Sequence, residues 1–242
     1  MKQLTEYITE KLKINKDTSV DNFKYYPKNR TELMEILFKV IEERGSDADL
    51  TDIDVSKVVD FREVFKHVNN IGKNKIKEIN ISNWDISNAE HVEQMFCGCN
   101  EFDCDLSKWD VSHITNFESM FEDCAKFKGS GLKNWDMSNA ENIKFMFKYC
   151  GYFNEDLSKW DVSKVKKMVR TFDNCLSFEG IGLYKWNMKS VDDIRGMFKN
   201  CIELNCNLAY AWKDLHNQAL WDSDLFYNCK KMGNKKPKWY KV

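Results

Sequence analysis

The chain has 242 residues with 37 Lys and Arg against 38 Asp and Glu, so its net charge of -1 indicates no polyanionic partner. Aromatic residues make up 14% of the chain and it holds only 10 Gly and 2 Pro, which argues against a disordered or linker-rich protein. No apolar run approaches the roughly 20 residues of a membrane span, and no secretory signal is visible in the first residues, so we predict no membrane contact. A cytoplasmic location is predicted from the reduced cysteines described below.

The first 48 residues lie outside any repeat and predict an N-terminal helical segment. Residues 4–12 place Leu4, Ile8 and Leu12 at helical spacing. A clearer helix is predicted after Asn29, a favourable N-cap, and it should end before Gly45. Its apolar stripe consists of Leu33, Ile36, Leu37, Val40 and Ile41. Because a stripe of this width needs a partner, we predict that residues 1–48 cap the first repeat.

Residues 49–229 are built from a repeat of 25 or 26 residues. The segment 106–112 reads LSKWDVS, and the same seven letters return at 157–163. Each full repeat has a tryptophan, a phenylalanine twelve residues later and a cysteine three residues after that; in the degenerate last repeat, Phe226 follows Trp212 by fourteen residues and Cys229 follows Phe226 by three. The tryptophans are Trp84, Trp109, Trp135, Trp160, Trp186 and Trp212. A disguised first repeat has Ile53 at the tryptophan position, and together these units predict seven stacked repeats.

Within one repeat the apolar pattern changes its period. Trp109 and Val111 alternate with polar residues, which is typical of a half-buried strand. Apolar residues then recur at spacings of three to four from Ile114 to Cys124, which is typical of a helix. We therefore predict an α/β repeat solenoid that is leucine-rich-repeat-like, with one short parallel strand and one short helix per repeat, and an N-terminal helical cap.

The turns between repeats are of two alternating kinds. Gly-x-Gly turns at 129–131 and 180–182 alternate with the turns at 103–105 and 154–156, which are rich in Asp and Asn. This alternation indicates that a two-repeat unit was duplicated.

The repeat as a whole resembles a known family. Its Trp-Asp-Val-Ser start, followed by Met-Phe, Cys and Phe, resembles the BspA-like bacterial surface-protein repeat, a leucine-rich-repeat relative also found in mycoplasma lipoproteins and phage-encoded proteins. The resemblance covers residues 50–229 and departs from the pattern at Thr171, Lys189 and Leu225. It implies a scaffold used for recognition without catalysis. Residues 4–17 also resemble short leaders on proteins of large phages of gut bacteria.

Two rows of polar residues flank the tryptophans and are the candidate partner-binding site, predicted to lie on a concave strand face. Successive repeats would place like charges about 5 Å apart, a cost of roughly 1 kcal/mol in water. Two interpretations can hold together: each Asp accepts a backbone N–H two residues later in an Asx-turn, and the rows form a charged strip for a partner. We call these ten residues the polar ladder: Asn83, Asp85, Lys108, Asp110, Asn134, Asp136, Lys159, Asp161, Lys185 and Asn187.

Other reactive residues fit no catalytic or metal pattern. Five of the nine cysteines share one repeat position, which predicts buried, reduced thiols: Cys99, Cys124, Cys150, Cys175 and Cys201. No Cys-x-x-Cys pair suits zinc, and the four histidines fall at different repeat positions. The Gly-x-Gly turns lack the context of a phosphate loop. We predict no enzyme activity, no metal and no cofactor.

Residues 230–242 form a basic C-terminal tail with six lysines, no acid and the aromatic residues Trp239 and Tyr240. Such a tail could contact phosphates and stack on bases, or simply be a solvated end. The leading hypothesis is a non-enzymatic module that binds a protein partner. The alternatives are a phage-encoded antagonist or structural accessory that docks through residues 1–17, and, less favoured, nucleic-acid contact through the tail.

Overall fold

The computed structural model describes residues 23–71, 76–212, 215 and 224–240. Within these ranges the α-helices are α1, Arg30–Arg44, and α2, Val64–Ile71. Short 3₁₀ helices cover Leu132–Asn134, Leu183–Lys185 and Gly233–Lys235. The rest of the described chain consists of turns and extended segments. The helix expected over residues 4–12 lies outside the described residues.

The predicted helix after Asn29 is confirmed as α1. The Asn29 side-chain oxygen accepts the Glu32 N–H at 3.0 Å, and Gly45 closes the helix at φ +92°. Its predicted apolar stripe is buried and joins the same hydrophobic core as the repeats. Because α1 packs against α2, which belongs to the first repeat, the stripe has the partner that its width requires.

The predicted α/β repeat solenoid is wrong, because no β-strand occurs among the described residues. Neighbouring repeats are joined by isolated parallel bridges such as Asn116 with Asn142 and Asn142 with Lys167. The expected strand around Trp109 forms turns within its own repeat instead. The Trp109 N–H donates to Leu106 O at 3.1 Å, so this backbone does not pair with the next repeat as a strand would.

Among the described residues, the predicted helix in each repeat is also wrong, except in the first repeat, where α2 occupies that position. Ser119 and Asp123 have φ of +56° and +61°, a left-handed conformation that interrupts a right-handed helix. The chain forms consecutive turns instead, with the Met120 N–H donating to Phe117 O and the Cys124 N–H to Phe121 O. These turns bury residues at spacings similar to those of a helix, which is why the sequence pattern suggested one.

Successive repeats are joined by backbone hydrogen bonds from alternate residues. In the repeat of Trp109 the donors are the N–H groups of Phe117, Ser119, Phe121 and Asp123, and the acceptors are carbonyls 25 residues later, of Asn142, Lys144, Met146 and Lys148, at 2.8–3.0 Å. A helix would have directed these N–H groups to carbonyls four residues earlier in the same segment. The turn-built backbone therefore binds each repeat to the next.

The core is a column of stacked aromatic rings. Phenylalanines one repeat apart lie with ring centroids 5.0–5.7 Å apart and nearly parallel planes, through Phe65, Phe96, Phe121, Phe147, Phe172, Phe198 and Phe226. The six repeat tryptophans are at most 6% exposed. The predicted burial of both positions is confirmed, so each repeat relies on its neighbours for most of its core.

The two-repeat unit is visible in how the indoles pair. Trp109 stacks on Trp135 and Trp160 on Trp186, with centroids 6.4 and 6.3 Å apart and planes within 7° of parallel. Both pairs are connected through a Gly-x-Gly turn. Gly131 and Gly182 adopt φ of +92° and +89°, and any Cβ there would lie 2.3 Å from the backbone of the preceding repeat.

Candidate interaction surface

The indole groups of the repeat tryptophans hydrogen-bond to the backbone next to the polar ladder and hold it in place. The Nε1–H of Trp135 donates to Leu106 O at 3.1 Å, and Trp160, Trp186 and Trp212 bond to the preceding repeat in the same way. The buried Trp109 Nε1 has no hydrogen-bond partner in the described structure. Each of these four bonded indoles thus ties its repeat to the one before it, and the residues that flank it are held in a fixed register.

The Asx-turns predicted for the aspartate row are confirmed. Asp110 Oδ1 accepts the Ser112 N–H at 3.0 Å, and Asp54, Asp85, Asp136 and Asp161 make the same bond two residues on. Asn187 replaces aspartate and still accepts the Lys189 N–H. The side chain and N–H of Ser112 lower the pKa of Asp110, and the N–H and side chain of Ser163 lower that of Asp161.

All ten residues of the polar ladder are exposed. They belong to turns and extended segments, so the predicted strand face is wrong, since the described residues contain no strand. Within the ladder, Lys159 Nζ donates to Asn134 Oδ1 at 2.9 Å. No ion pair in the described part of the chain joins a ladder lysine to a ladder aspartate. Backbone N–H groups, rather than lysines, therefore hold the aspartate row.

The recurring cysteines form a row of buried thiols, as predicted. Cys150 Sγ donates to Phe121 O at 2.9 Å, and Cys124, Cys175, Cys201 and Cys229 make the equivalent contact with a phenylalanine carbonyl one repeat earlier. None of the nine cysteines, all of which lie in the described ranges, forms a disulfide. Burial raises the pKa of Cys124, Cys150, Cys175 and Cys201 well above that of an ordinary thiol. These thiols are packing groups and lack the thiolate character of nucleophiles.

The remaining chemically active residues are dispersed. No group of three or more metal-ligating side chains occurs in the part of the chain that the structure describes. Nδ1 of His67 and Nδ1 of His91 lie 3.3 and 3.8 Å from glutamate oxygens. His216 lies outside the described ranges. Among the helices that the structure describes, none is long and apolar enough to cross a membrane.

The described part of the basic tail packs against the last repeats. The Trp239 Nε1–H donates to Trp212 O at 3.0 Å, and the Tyr240 ring meets Phe226 edge-on at 5.0 Å. These two aromatic side chains are half-buried, so neither presents a fully open ring for stacking on bases. The proposed docking element at residues 1–17 lies outside the described residues, and nucleic-acid contact through the tail stays a prediction.

Sequence reasoning missed two surface clefts. One has a volume of about 630 Å³ and is lined by charged groups that include Lys144, Arg170 and Arg195. The other, of about 640 Å³, lies between two turns near the C-terminal end and is bordered by Tyr184 and Tyr210. Its sequence signal is the appearance of tyrosine at positions where most other repeats have Ser, Lys or Asn.

The fold and surface together define a class of protein: stacked, turn-built repeats with an aromatic core and an outward polar ladder. The family model described as "Mycoplasma protein of unknown function, DUF285" matches the chain twice, over residues 32–130 and 123–239. The chain therefore belongs to this family. No curated protein and no solved structure matches it.

Proposed function

We propose that the protein is a non-enzymatic recognition module that binds a protein partner through the polar ladder. The observation that carries the proposal is that all ten ladder side chains are exposed while their backbone is fixed by buried indoles and Asx-turns. A surface held in one conformation loses little entropy on binding, so more of its contact energy appears as affinity.

The charges of the ladder also suit a protein surface better than a polyanion. Lysines and aspartates stand side by side in the same repeats, as with Lys108 and Asp110 or Lys159 and Asp161. Mixed charges of this kind favour a partner of complementary pattern and contribute to specificity and association rate. The proposal includes a cytoplasmic location, supported by the absence of a disulfide among the nine cysteines of the described ranges, since reduced thiols are typical of that compartment.

We further propose that the repeats are of the BspA-like type. The support is the Trp-Asp-Val-Ser start and the Met-Phe-x-x-Cys pattern that several repeats share. This assignment is finer than the family membership and would be tested by a solved structure of a BspA-like repeat that superimposes on the turn-built backbone.

The test of the recognition proposal is a ladder variant with four changes: Lys108→Glu, Asp110→Asn, Lys159→Glu and Asp161→Asn. The asparagines retain the oxygen that closes each Asx-turn, as Asn187 does in the native chain. Affinity isolation from the native host with mass spectrometry should recover a partner with the native protein and lose it with the variant.

A control variant makes the same types of change at other exposed positions: Lys126→Glu, Glu101→Gln, Lys230→Glu and Glu90→Gln. It alters the net charge by the same amount and should retain the partner. Thermal unfolding of both variants should match that of the native chain. Equal capture by the ladder variant and the native protein would contradict the proposal.

A further inference from the structure

The cleft beside Tyr184 and Tyr210 is open to solvent and has the size of a ligand site. Its walls come from the turns at 180–182 and 205–207, which belong to successive repeats. The volume of about 640 Å³ falls in the range of roughly 300–1,000 Å³ that is usual for small-molecule sites. Two abutting turns therefore create a concave surface near the C-terminal end of the stack.

Aromatic and apolar groups border this cleft and face solvent. Tyr184 is 58% exposed, Tyr210 75% and Ile181 45%. Lys238 Nζ lies 4.1 Å from the centroid of the Tyr210 ring, and Lys185 Nζ lies 5.8 Å from that of Tyr184. A cation covers at most one face of a ring. The uncovered faces are flat apolar surfaces with negative potential, which attract polarised C–H groups.

Polar groups with spare hydrogen-bonding capacity lie at the rim. Asn207 Oδ1 accepts the Ala209 N–H at 3.1 Å, so its Nδ2 remains available as a donor. The Glu179 carboxylate takes no hydrogen bond or ion pair from the described residues, and it is exposed. Hydroxyl groups both donate and accept, so a polyhydroxylated ligand can satisfy an amide and a carboxylate together.

The charge of the residues that line the cleft distinguishes between the candidate classes of ligand. Among the described residues that line the cleft there is no lysine or arginine, and Glu179 is the one carboxylate. A phosphate bound beside Glu179 would meet a like charge, and the lysines nearest the cleft already lie over the tyrosine rings or donate to Asn205. Both features disfavour nucleotides and nucleic acid relative to a neutral ligand. A purely apolar ligand would leave the amide and the carboxylate desolvated without partners. A neutral sugar meets neither difficulty.

The duplicated unit contains an equivalent turn pair without the aromatic groups. Counted back 51 residues from these turns, Ser130, Lys133 and Lys159 occupy the positions of Ile181, Tyr184 and Tyr210; Trp212 follows its turn one residue later than Trp160 does. The same turns fold there with lysines, so the scaffold does not require tyrosine. The tyrosines are thus an addition to the scaffold, and a binding role accounts for their exposure.

We propose that this cleft is a binding site for a neutral saccharide. A pyranose ring packs against the open face of Tyr184 or Tyr210, and its hydroxyls bond to the Asn207 amide and the Glu179 carboxylate. This site is separate from the polar ladder in its binding chemistry, because it relies on aromatic faces rather than on paired charges.

The test is binding of the full-length protein to immobilised cellotriose, chitotriose, maltotriose, mannotriose and lactose, with a ten-residue oligothymidylate as the nucleic-acid probe. We expect binding to at least one saccharide and none to the oligothymidylate. The Tyr184→Lys, Tyr210→Lys double variant, which carries the side chain that the equivalent sites have, should lose at least tenfold in affinity.

A second variant, Asn207→Asp, removes the amide donor and retains the oxygen that holds the turn. Its equivalent, Asp156, makes that turn bond with the Ser158 N–H at 2.8 Å in the native chain. It should also weaken saccharide binding, whereas the four-change ladder variant should bind saccharide normally. Binding to none of the five saccharides, unchanged binding by the tyrosine variant, or binding to the oligothymidylate alone would overturn the proposal.

Discussion

Substitution of Gly182 by alanine tests whether the Gly-x-Gly turns set the contact between paired repeats. Gly182 has φ +89°, and an added Cβ would lie 2.3 Å from Ser158 N and 2.4 Å from its Cα. Those atoms belong to backbone, so relief requires the two repeats to separate. Glycine is needed here for both its conformation and its lack of a side chain.

The expected loss of stability has two parts. The left-handed conformation costs an alanine roughly 1–2 kcal/mol, and forced overpacking typically costs about 1–3 kcal/mol more. Gly98→Ala is the matched control, since Gly98 has φ +78° with nothing within 4 Å of an added Cβ. Other repeats have non-glycine residues in this conformation at the same position, for example Asp123 and Tyr149.

Urea unfolding monitored by tryptophan fluorescence measures both free energies. We expect Gly182→Ala to be less stable than Gly98→Ala by about 1–3 kcal/mol, the overpacking term alone. Replacing glycine by alanine also stabilises a protein by making its unfolded chain less flexible. This gain in stability is common to both variants, so it cancels when their free energies of unfolding are compared. Equal destabilisation by the two substitutions would refute the packing argument.

Further predictions concern single hydrogen bonds and titrating groups. Trp135→Phe should cost about 1 kcal/mol more than Trp109→Phe in urea unfolding, because only the first loses an indole hydrogen bond; an equal cost would contradict the assignment. Burial raises the pKa of the Cys150 thiol well above 9.0, so above pH 9 the unfolded chain loses protons that the folded chain keeps, and stability should fall as pH rises. The free energy of unfolding of Cys150→Ser should fall less steeply between pH 9 and 10.5 than that of the native chain. An equal slope for the two proteins would argue against burial of the thiol. Asp161→Ala should cost about 0.5–1 kcal/mol at pH 7, whereas Asp161→Asn should be nearly neutral because it retains the bond to the Ser163 N–H. As the pKa of Asp161 is lowered by folding, the cost of Asp161→Ala should shrink as pH falls below 3.8, and a pH-independent cost would count against the Asx-turn.

Side-chain periodicity predicted which residues are buried better than it predicted the backbone. Trp109, Phe121 and Cys124 were expected inside, and all are buried, because a repeated apolar position marks the inner face whatever the local conformation. The pattern does not report hydrogen-bond partners. Turns with left-handed residues at Ser119 and Asp123 bury side chains at helix-like intervals, so the period alone could not distinguish them from a helix.

Capping residues and turn residues predicted the local backbone more reliably than the spacing of apolar residues did. Asn29 and Gly45 marked the ends of α1, and the aspartates of the ladder close Asx-turns, because these signals depend on neighbouring backbone groups only. The cleft at Tyr184 and Tyr210 was missed for the opposite reason. The cleft forms only where two turns from different repeats lie side by side. Its tyrosines depart from the repeat pattern, so an analysis of recurring positions passes over them.

The most direct test of the central claim, that buried indoles bind successive repeats together, is hydrogen exchange at the indole Nε1–H groups by NMR. Trp84, Trp135, Trp160, Trp186 and Trp212 each donate to a backbone carbonyl of an earlier repeat. We expect all five to exchange slowly and to lose protection together on unfolding. Rapid exchange of the Trp135 and Trp160 indoles in the native protein, at the rate of free tryptophan, would contradict the account.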